Sequence, residues 1–478
     1  MTIATKATKN SATKITKDLR TRKTFVCFVS FVARNLRGLR RLVLCVAALV
    51  AVVAARMDAQ EPLRLTLEQA QARARDASHR LSELRARGEA AEAVVNIRRA
   101  ASQPNVSVLA GYTRTNHVEE FFVPGALGSP LRVIYPDIPD NYRTRLDLQW
   151  PIYSSGRFDA LERAAGAEAA AATADLDTAR QDLRLEVARA FWALVTARSS
   201  TAVLERAVER AQSHLSDVRE RLNAGLVPPN EVASAEAQES RERMLLIEAR
   251  NQRDVASSDL ARLIGEAVLR PIEPVESLES GSPPSTSAAD ALLTEARTAR
   301  SERRALERRI DASEERRAAA AAGARPTVSL GGGVDYARPN PRIFPRVGRW
   351  EDSWDASVNL SWPLWDGGRV KAETAEAAAT TTATRKRLAD FDSVLTLEVR
   401  QRLLELESTR AAVAAAEDGV RAATEAQRVV AERYAAGVVT HTEVLDAQLA
   451  QLQAELDRTR ALANVRLAEA RLARAVGR

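Results

Sequence analysis

Two ten-residue stretches of this chain share one outline: LQWPIYSSGR at residues 148–157 and LSWPLWDGGR at residues 360–369. Each follows a short alternating segment and precedes a long Ala-rich one. The same offset of 212, without a gap, relates residues 148–265 to residues 360–477. Self-similarity over such a length indicates an internal duplication, so one structural unit is expected to occur twice in the fold.

The duplication divides the chain into four parts. We predict a leader at residues 1–59, a first repeat at 60–272, a linker at 273–287 and a second repeat at 288–478. The linker is rich in Pro and Ser, which interrupt regular structure. Each repeat has the predicted order helix, strand, strand, very long helix, turn, helix.

The leader has the parts of a secretory signal. Residues 42–55 are an uncharged apolar run, and small residues follow it, so cleavage is expected near Ala55 or Ala59. The run is shorter than the roughly 20 residues that a membrane-spanning helix needs. Four arginines precede it: Arg34, Arg37, Arg40 and Arg41. The alternative to a cleaved signal is an uncleaved N-terminal anchor.

The net charge of +7 comes from the leader. Residues 1–41 contain eleven Lys or Arg and one acid, Asp18, and the rest of the chain has 59 basic and 62 acidic residues. The repeats are therefore slightly acidic, which argues against nucleic-acid binding. Both cysteines, Cys27 and Cys45, also lie in the leader, so the exported chain would have no disulfide and no cysteine metal site.

The segments before the two corners alternate with a period of two, as strands do. In residues 142–150 and 354–362 apolar side chains share one face and polar ones the other, with Trp and Tyr near the ends. This length and aromatic placement match strands of outer-membrane barrels. A small soluble sheet with one buried face fits the alternation equally well.

The corners are the predicted junctions between strand and helix. We expect Trp150 to face lipid, Pro151 to end the strand ladder because it lacks an N–H, and Gly156 to free the backbone for the turn. The second corner has the same residue types at the same offset. The predicted corner residues are Trp150, Pro151, Gly156, Trp362, Pro363 and Gly368.

The segments after the corners predict very long helices. Residues 158–222 contain no proline and abundant Ala, Leu, Arg and Glu, so about 65 residues would form a rod of roughly 97 Å. Tight turns are expected at Gly225 and Gly437, after which each chain segment returns as a helix. Each repeat would thus contain a helical hairpin that packs as an antiparallel coiled coil.

Four strands cannot close a barrel, since small barrels need about eight. Open strand edges cannot lie in lipid, because their backbone groups would stay unsatisfied. If these strands cross a membrane, several chains share one barrel, and three chains would contribute twelve strands. The predicted fold class is an α+β membrane protein: a trimeric 12-stranded β-barrel, four strands per chain, continued by a long α-helical coiled-coil barrel.

Residues 62–477 resemble the TolC-type outer-membrane efflux family. The resemblance rests on the repeated corner, the two long rods, RLNAGLVPPNEV at 221–232 and RYAAGVVTHTEVLDA at 433–447. It implies a homotrimeric conduit in the outer membrane of a Gram-negative bacterium, in contact with lipid and extending into the periplasm. Such conduits dock onto a periplasmic adaptor and an inner-membrane transporter, pass drugs or other small molecules outward, and catalyse no reaction.

The resemblance also implies roles for residues near the two turns. Glu443 and Asp446 match the acids of the family's pore constriction, with Glu where the first acid is usually Asp. Glu231 and Tyr434 match a pair that links the hairpins, whereas Val439 stands where members can carry an Arg of the closing network. The alternative for the two acids is an ordinary helix start. The residues matching the adaptor-docking motif are Gly225, Leu226, Val227, Gly437, Val438 and Val439.

Patterns typical of enzymes and cofactor sites are missing from the sequence. We find no nucleotide-binding loop and no zinc pattern, and so predict no metal, no cofactor and no enzymatic activity. The four histidines are scattered without a shared motif: His79, His117, His214 and His441. Two alternatives stay open, the outer-membrane component of a type I protein secretion system and a soluble coiled-coil scaffold.

Overall fold

A computed structural model describes residues 62–125, 130–279 and 288–478. The predicted leader at 1–59 lies outside the described residues, as does most of the predicted linker. Within the described ranges, no helix is both long enough and apolar enough to cross a membrane.

Eight strands and eight α-helices occur in the described part of the chain, and they alternate in two similar series. The first series is β1 (Leu63–Leu65), α1 (Leu67–Ala77), α2 (His79–Ala100), β2 (Asn105–Arg114), β3 (Phe121–Val123), β4 (Arg132–Tyr135), β5 (Asp140–Tyr153), α3 (Arg157–Asn223), α4 (Pro229–Leu263) and β6 (Ile272–Pro274). The second is α5 (Ala289–Ala299), α6 (Ser301–Ala321), β7 (Thr327–Arg338), β8 (Glu351–Ser361), α7 (Arg369–Ala435) and α8 (His441–Val476).

The main sheet is antiparallel and contains four strands, in the order β2-β5-β7-β8. The central pair, β5 and β7, joins the two halves of the chain, and Leu146 faces Val334 across it. Two smaller sheets accompany it: β3 pairs with β4, and the parallel pair β1–β6 connects the two ends of the first series. The hairpin β3–β4 lies in the loop between β2 and β5 and has no counterpart in the predicted order.

The sheet has one apolar and one ionic face, as the alternation predicted. Cross-strand partners on the apolar face include Val108 with Leu146 and Val334 with Trp354. All four are exposed in the single chain, Trp354 to 74%. The other face carries Arg143, Arg145 and Asp147 of β5 beside the acids of β7 and β8.

Pro151 does not end the strand ladder, so that prediction is wrong. β5 continues to Tyr153, and Pro151 still pairs with Ser329 of β7, with a bulge before Tyr153. The pairing with β2 ends at Gln149, so beyond that residue β5 has, among the described strands, a partner on one side only. A residue without an N–H is tolerated at such an edge position. In the second corner, Trp362 and Pro363 follow the last residue of β8 and belong to no strand.

The long helices α3 and α7 have 67 residues each, and a shift of 212 relates both their first and their last residues. Gly156 and Gly368 precede them with φ of 81° and 88°, a left-handed conformation that glycine adopts without a steric penalty. In the second corner the Asp366 carboxylate accepts hydrogen bonds from the N–H groups of Gly368 and Val370, at 2.9 and 2.8 Å. That side chain satisfies helix-start donors which the glycine leaves free.

Three apolar clusters lie along the helices in the described part of the chain. The largest surrounds Phe191 and Leu194 of α3, and the second joins Leu204 of α3 to Leu246 of α4 and Leu452 of α8. The third connects α5, α7 and α8. Because α3 contributes to the first two clusters, it is the central helix against which α4 and α8 pack.

Candidate functional site

The tip of the hairpins is the region where α3 turns into α4 and α7 turns into α8. Both turns use the same cap. Gly225 and Gly437 have φ of 72° and 73°, and the N–H of the next residue donates to the carbonyl five residues before it: Leu226 to Arg221 and Val438 to Arg433, both at 2.9 Å. This cap satisfies the last carbonyls of each helix and reverses the chain within a few residues.

The predicted docking residues form two exposed loops. Leu226 and Val438 are 74% and 62% exposed, whereas Val227 and Val439 are half-buried at the start of the return. A large apolar side chain held in water on a rigid turn is available for a partner surface.

The two predicted constriction acids lie at the start of α8 and both are exposed. Glu443 is the third residue of the helix and completes a capping box with Thr440. Its Oε1 accepts hydrogen bonds from the Thr440 N–H and hydroxyl, at 3.1 and 3.0 Å. These hydrogen bonds lower the pKa of Glu443, so its carboxylate stays ionised at mildly acidic pH. Asp446 follows three residues later on the same helix face.

Glu231 and Tyr434 meet across the two hairpins. The Tyr434 hydroxyl donates to Glu231 Oε2 at 3.1 Å. The Arg221 guanidinium lies over the Tyr434 ring, 4.7 Å from its centroid, and donates to the Tyr434 carbonyl at 3.4 Å. Burial raises the pKa of Tyr434, and the hydrogen bond to the Glu231 carboxylate raises it further, so the phenol stays protonated. One aromatic residue of α7 therefore contacts both helices of the other hairpin.

Two histidines that share no sequence motif, His214 and His441, lie together at the same place. Nε2 of His214 and Nδ1 of His441 are hydrogen-bonded at 3.3 Å, and the ring planes are nearly parallel, at 11°. Both are buried, with 9% and 5% of their surface exposed. The Tyr434 ring lies 5.8 Å from His214 and 6.2 Å from His441, measured between centroids.

The position of the two histidines explains why the sequence did not reveal them. His214 lies on α3 a few turns before the tip, and His441 is the first residue of α8. The 212-residue offset takes His214 to Ala426 and brings His441 back to Pro229, so the repeat pairs neither with a histidine. Their contact depends on how two different hairpins pack.

The ionic face of the sheet carries a second cluster, centred on Arg145. Its guanidinium bonds carboxylates of three strands, Asp147 at 2.9 Å, Asp335 at 2.6 Å and Asp355 at 2.8 Å. The Asp335 side chain is 1% exposed and is shared with Arg143. Paired charges in a row across strands tie the sheet together laterally.

Both corners are fixed to the segment that leads into β7. The Ser155 hydroxyl donates to the Pro326 carbonyl at 2.5 Å, and the Trp362 indole N–H donates to the Ala324 carbonyl at 3.2 Å. The Trp150 and Trp362 rings are otherwise exposed. The two strand-to-helix junctions of one chain thus share an anchoring point.

Among the described residues, no three His, Cys, Asp or Glu side chains are grouped so that they could hold a metal ion. A cavity of about 580 Å³ lies between α3, α4 and α8 and is open to solvent.

The sequence profile of the outer membrane efflux protein family matches residues 67–266 and 292–478. The chain belongs to this family. The family predicted from the sequence is therefore confirmed. No curated protein sequence matches the chain at a significant level.

Solved structures show the same fold. A membrane protein from Pseudomonas aeruginosa is 22% identical, with a TM-score of 0.73. The alignment covers 86% of this chain and 92% of that protein. The outer membrane protein VceC from Vibrio cholerae is 20% identical, with a TM-score of 0.70, and the alignment covers 86% of this chain and 96% of VceC. The MtrE outer membrane channel of Neisseria gonorrhoeae, in its open state, is 21% identical, with a TM-score of 0.70. The alignment covers 86% of this chain and 88% of MtrE. The predicted fold class is confirmed at the level of the single chain.

Proposed function

We propose that three copies of this outer membrane efflux protein form one continuous duct, which carries drugs or other small molecules from a periplasmic tip through the outer membrane. The observation that carries this proposal is the four-stranded sheet with an exposed apolar face and an ionic face. Family membership supports the efflux role.

The edges of the sheet support assembly from several chains. In the described residues, β2 and β8 each have a strand partner on one side only. Four strands are too few to close, and an open edge in lipid would leave backbone groups unsatisfied. Pairing β8 of one copy with β2 of the next removes both edges, and three copies reach twelve strands.

The difference between the two faces of the sheet supports a barrel with the apolar face outside and the ionic face inside. The apolar face would contact lipid, and the face of Arg145 and Asp335 would line a water-filled lumen, as in other outer-membrane barrels. The alternative of a soluble scaffold would leave the whole apolar face, Trp354 included, in water. The exposed Trp150 and Trp362 then lie at a membrane interface.

The tip supports the proposed partners. The exposed Leu226 and Val438 offer apolar contacts to a periplasmic adaptor, which in turn links the duct to an inner-membrane transporter. Transport is driven by that partner, so the duct itself needs neither cofactor nor catalytic residue. The secretory signal in residues 1–59 and the linker at 273–287 stay predictions. Export into the envelope of a Gram-negative bacterium depends on that secretory signal.

We further propose that Glu443 and Asp446 line the constriction of the duct. Oε2 of Glu443 takes no part in the capping box, so the side chain can cap the helix and present charge to the pore. Three copies would place six carboxylates around the opening, which favours cations. The paired variant Glu443→Gln with Asp446→Asn is expected to lose cation selectivity. Asp76→Asn, which removes an exposed carboxylate from α1, is the matched control and is expected to keep it.

Extraction and mass measurement test the assembly. Membranes of an expressing Gram-negative host are separated, and the protein is extracted in mild detergent and weighed by light scattering. We expect it in the outer-membrane fraction at three times the mass of the chain. A soluble or monomeric protein would overturn the proposal.

A further inference from the structure

The buried histidine pair joins the two hairpins at their tip. His214 lies on α3 of the first hairpin and His441 on α8 of the second, and their ring nitrogens share one hydrogen bond at 3.3 Å. We propose that this pair is a proton-sensitive latch, which holds the hairpins together while both imidazoles are uncharged and releases them when the pair gains protons. The inference rests on the proposed duct, because the tip is its inner opening.

Proton counting favours this role. An N–H···N bond uses one proton between two ring nitrogens, so the two neutral imidazoles fit the observed contact. If both rings were charged, two N–H groups would face each other at 3.3 Å with no acceptor between them. The outer nitrogen of His441, Nε2, is buried and has no hydrogen-bond partner in the described residues. A proton added there would therefore be buried without an acceptor.

The surroundings also oppose a positive charge. Burial is the main cause that lowers the pKa of His214, and the neighbouring His441 is the second cause. Burial also lowers the pKa of His441. Arg221 of α3 acts in the same direction on His214. Asp217 of α3 and Glu231 of α4 act in the opposite direction, but Glu231 already accepts the Tyr434 hydroxyl of α7. The carboxylates of the site only partly offset the cost of burial.

The sign of the pH effect follows from these directions. Histidines released into water recover a pKa near 6.5, which is above their pKa in the pair. The released state thus binds more protons than the latched state below about pH 6.5. The latch is at full strength above that pH and weakens as the pH falls below it. Between pH 7.5 and 5.5 the equilibrium is expected to shift by about tenfold for each histidine that titrates.

The latch is positioned to act on the constriction. His441 begins α8, and Glu443 and Asp446 lie in the first two turns of the same helix. Tyr434, on the other side of the turn, contacts the first hairpin through Glu231. Separation of His441 from His214 therefore moves the proposed pore acids away from the first hairpin, while the rest of α8 stays packed around Leu452.

Spin labels on the two hairpins test the latch without any need for transport. Asn230→Cys on α4 and Thr442→Cys on α8 replace exposed residues, and the chain has no cysteine after Cys45. In purified protein in detergent, with Cys27→Ser and Cys45→Ser introduced so that only the two new cysteines are labelled, we expect the distance between labels to lengthen from pH 7.5 to 5.5. The separated fraction should rise at least about tenfold relative to the latched one.

Matched variants assign the response to the pair. His214→Gln or His441→Gln alone is expected to lower the slope of the titration to that of one proton, and the double variant to abolish it. His79→Gln, which makes the same change at an exposed histidine of α2, is expected to respond as the unmodified protein does. If the double variant fails to fold, the single variants still decide the slope.

The outcomes separate the latch from the duct. A distance that does not change with pH, or an undiminished response in both single variants, would overturn the latch even if the protein conducts. A distance that titrates as expected, in a protein that forms no channel, would support the latch and overturn the duct.

Discussion

Gly333 is the residue of the sheet at which a single methyl group should matter most. It lies on β7 under the Arg145 guanidinium, on the ionic face. A Cβ at this position would meet Cζ and Nη2 of Arg145 and the Leu146 carbonyl oxygen, each at 2.7 Å. The guanidinium could rotate away, but the carbonyl belongs to the backbone of the neighbouring strand. Gly333→Ala therefore forces β5 and β7 apart.

The size of the effect follows from this geometry. Extra methyl groups forced into closely packed sites cost about 1–3 kcal/mol, and contact with a backbone atom places Gly333→Ala in the upper part of that range. Gly111 of β2 faces Arg143 in the same sheet, but a Cβ there would meet nothing within 4 Å. Gly111→Ala should stabilise the strand by about 0.5–1 kcal/mol, because glycine costs entropy in a strand.

Denaturant unfolding from phospholipid vesicles, followed by tryptophan fluorescence, measures both variants. We expect Gly333→Ala to lower the free energy of unfolding by about 2–3 kcal/mol and Gly111→Ala to leave it unchanged or raise it. Equal effects of the two substitutions would contradict this expectation, because they would show that the close approach of Arg145 and Leu146 to Gly333 does not affect the free energy of unfolding.

Three further predictions concern the tip. Tyr434→Phe removes the hydroxyl bonded to Glu231 and should weaken the contact between hairpins by about 1 kcal/mol, seen as faster hydrogen exchange at the tip; unchanged exchange would contradict it. Gly437→Ala puts alanine at φ 73° with no clash and should destabilise the chain by about 1–2 kcal/mol in thermal unfolding, whereas Gly419→Ala within α7 should stabilise it. Thr440→Val keeps the backbone N–H that contributes most to the lowered pKa of Glu443 but removes the hydroxyl that adds to it, so the carboxylate should take up its proton at higher pH in an NMR titration. The stabilisation from the capping box, present above the ordinary pKa of the carboxyl, should decrease accordingly.

The sequence predicted those parts of the fold that depend on local patterns. The alternation before each corner, the Ala-rich runs and the glycines at the turns identified the strands of the sheet, α3, α7 and both tips, because each of these reflects backbone preference over neighbouring residues. Pro151 shows the limit of such local arguments. Its missing N–H was expected to end the ladder, but a strand with one free side tolerates it.

Contacts between distant segments were beyond the sequence. His214 and His441 meet because α3 and α8 pack side by side near the tip, and no spacing within either helix indicates it. The bonds from Arg145 to Asp335 and Asp355 depend in the same way on the register of β5, β7 and β8. Only the link between Glu231 and Tyr434 was named beforehand, and it came from the resemblance to a family.

Single-channel recording tests most directly whether this chain forms a conducting duct. Purified protein is added to one side of a planar lipid bilayer in asymmetric KCl, and current is measured at fixed voltage. We expect discrete, equal conductance steps with a reversal potential that favours K⁺ over Cl⁻. Baseline current at all protein concentrations, from protein shown to insert in the bilayer, would contradict it.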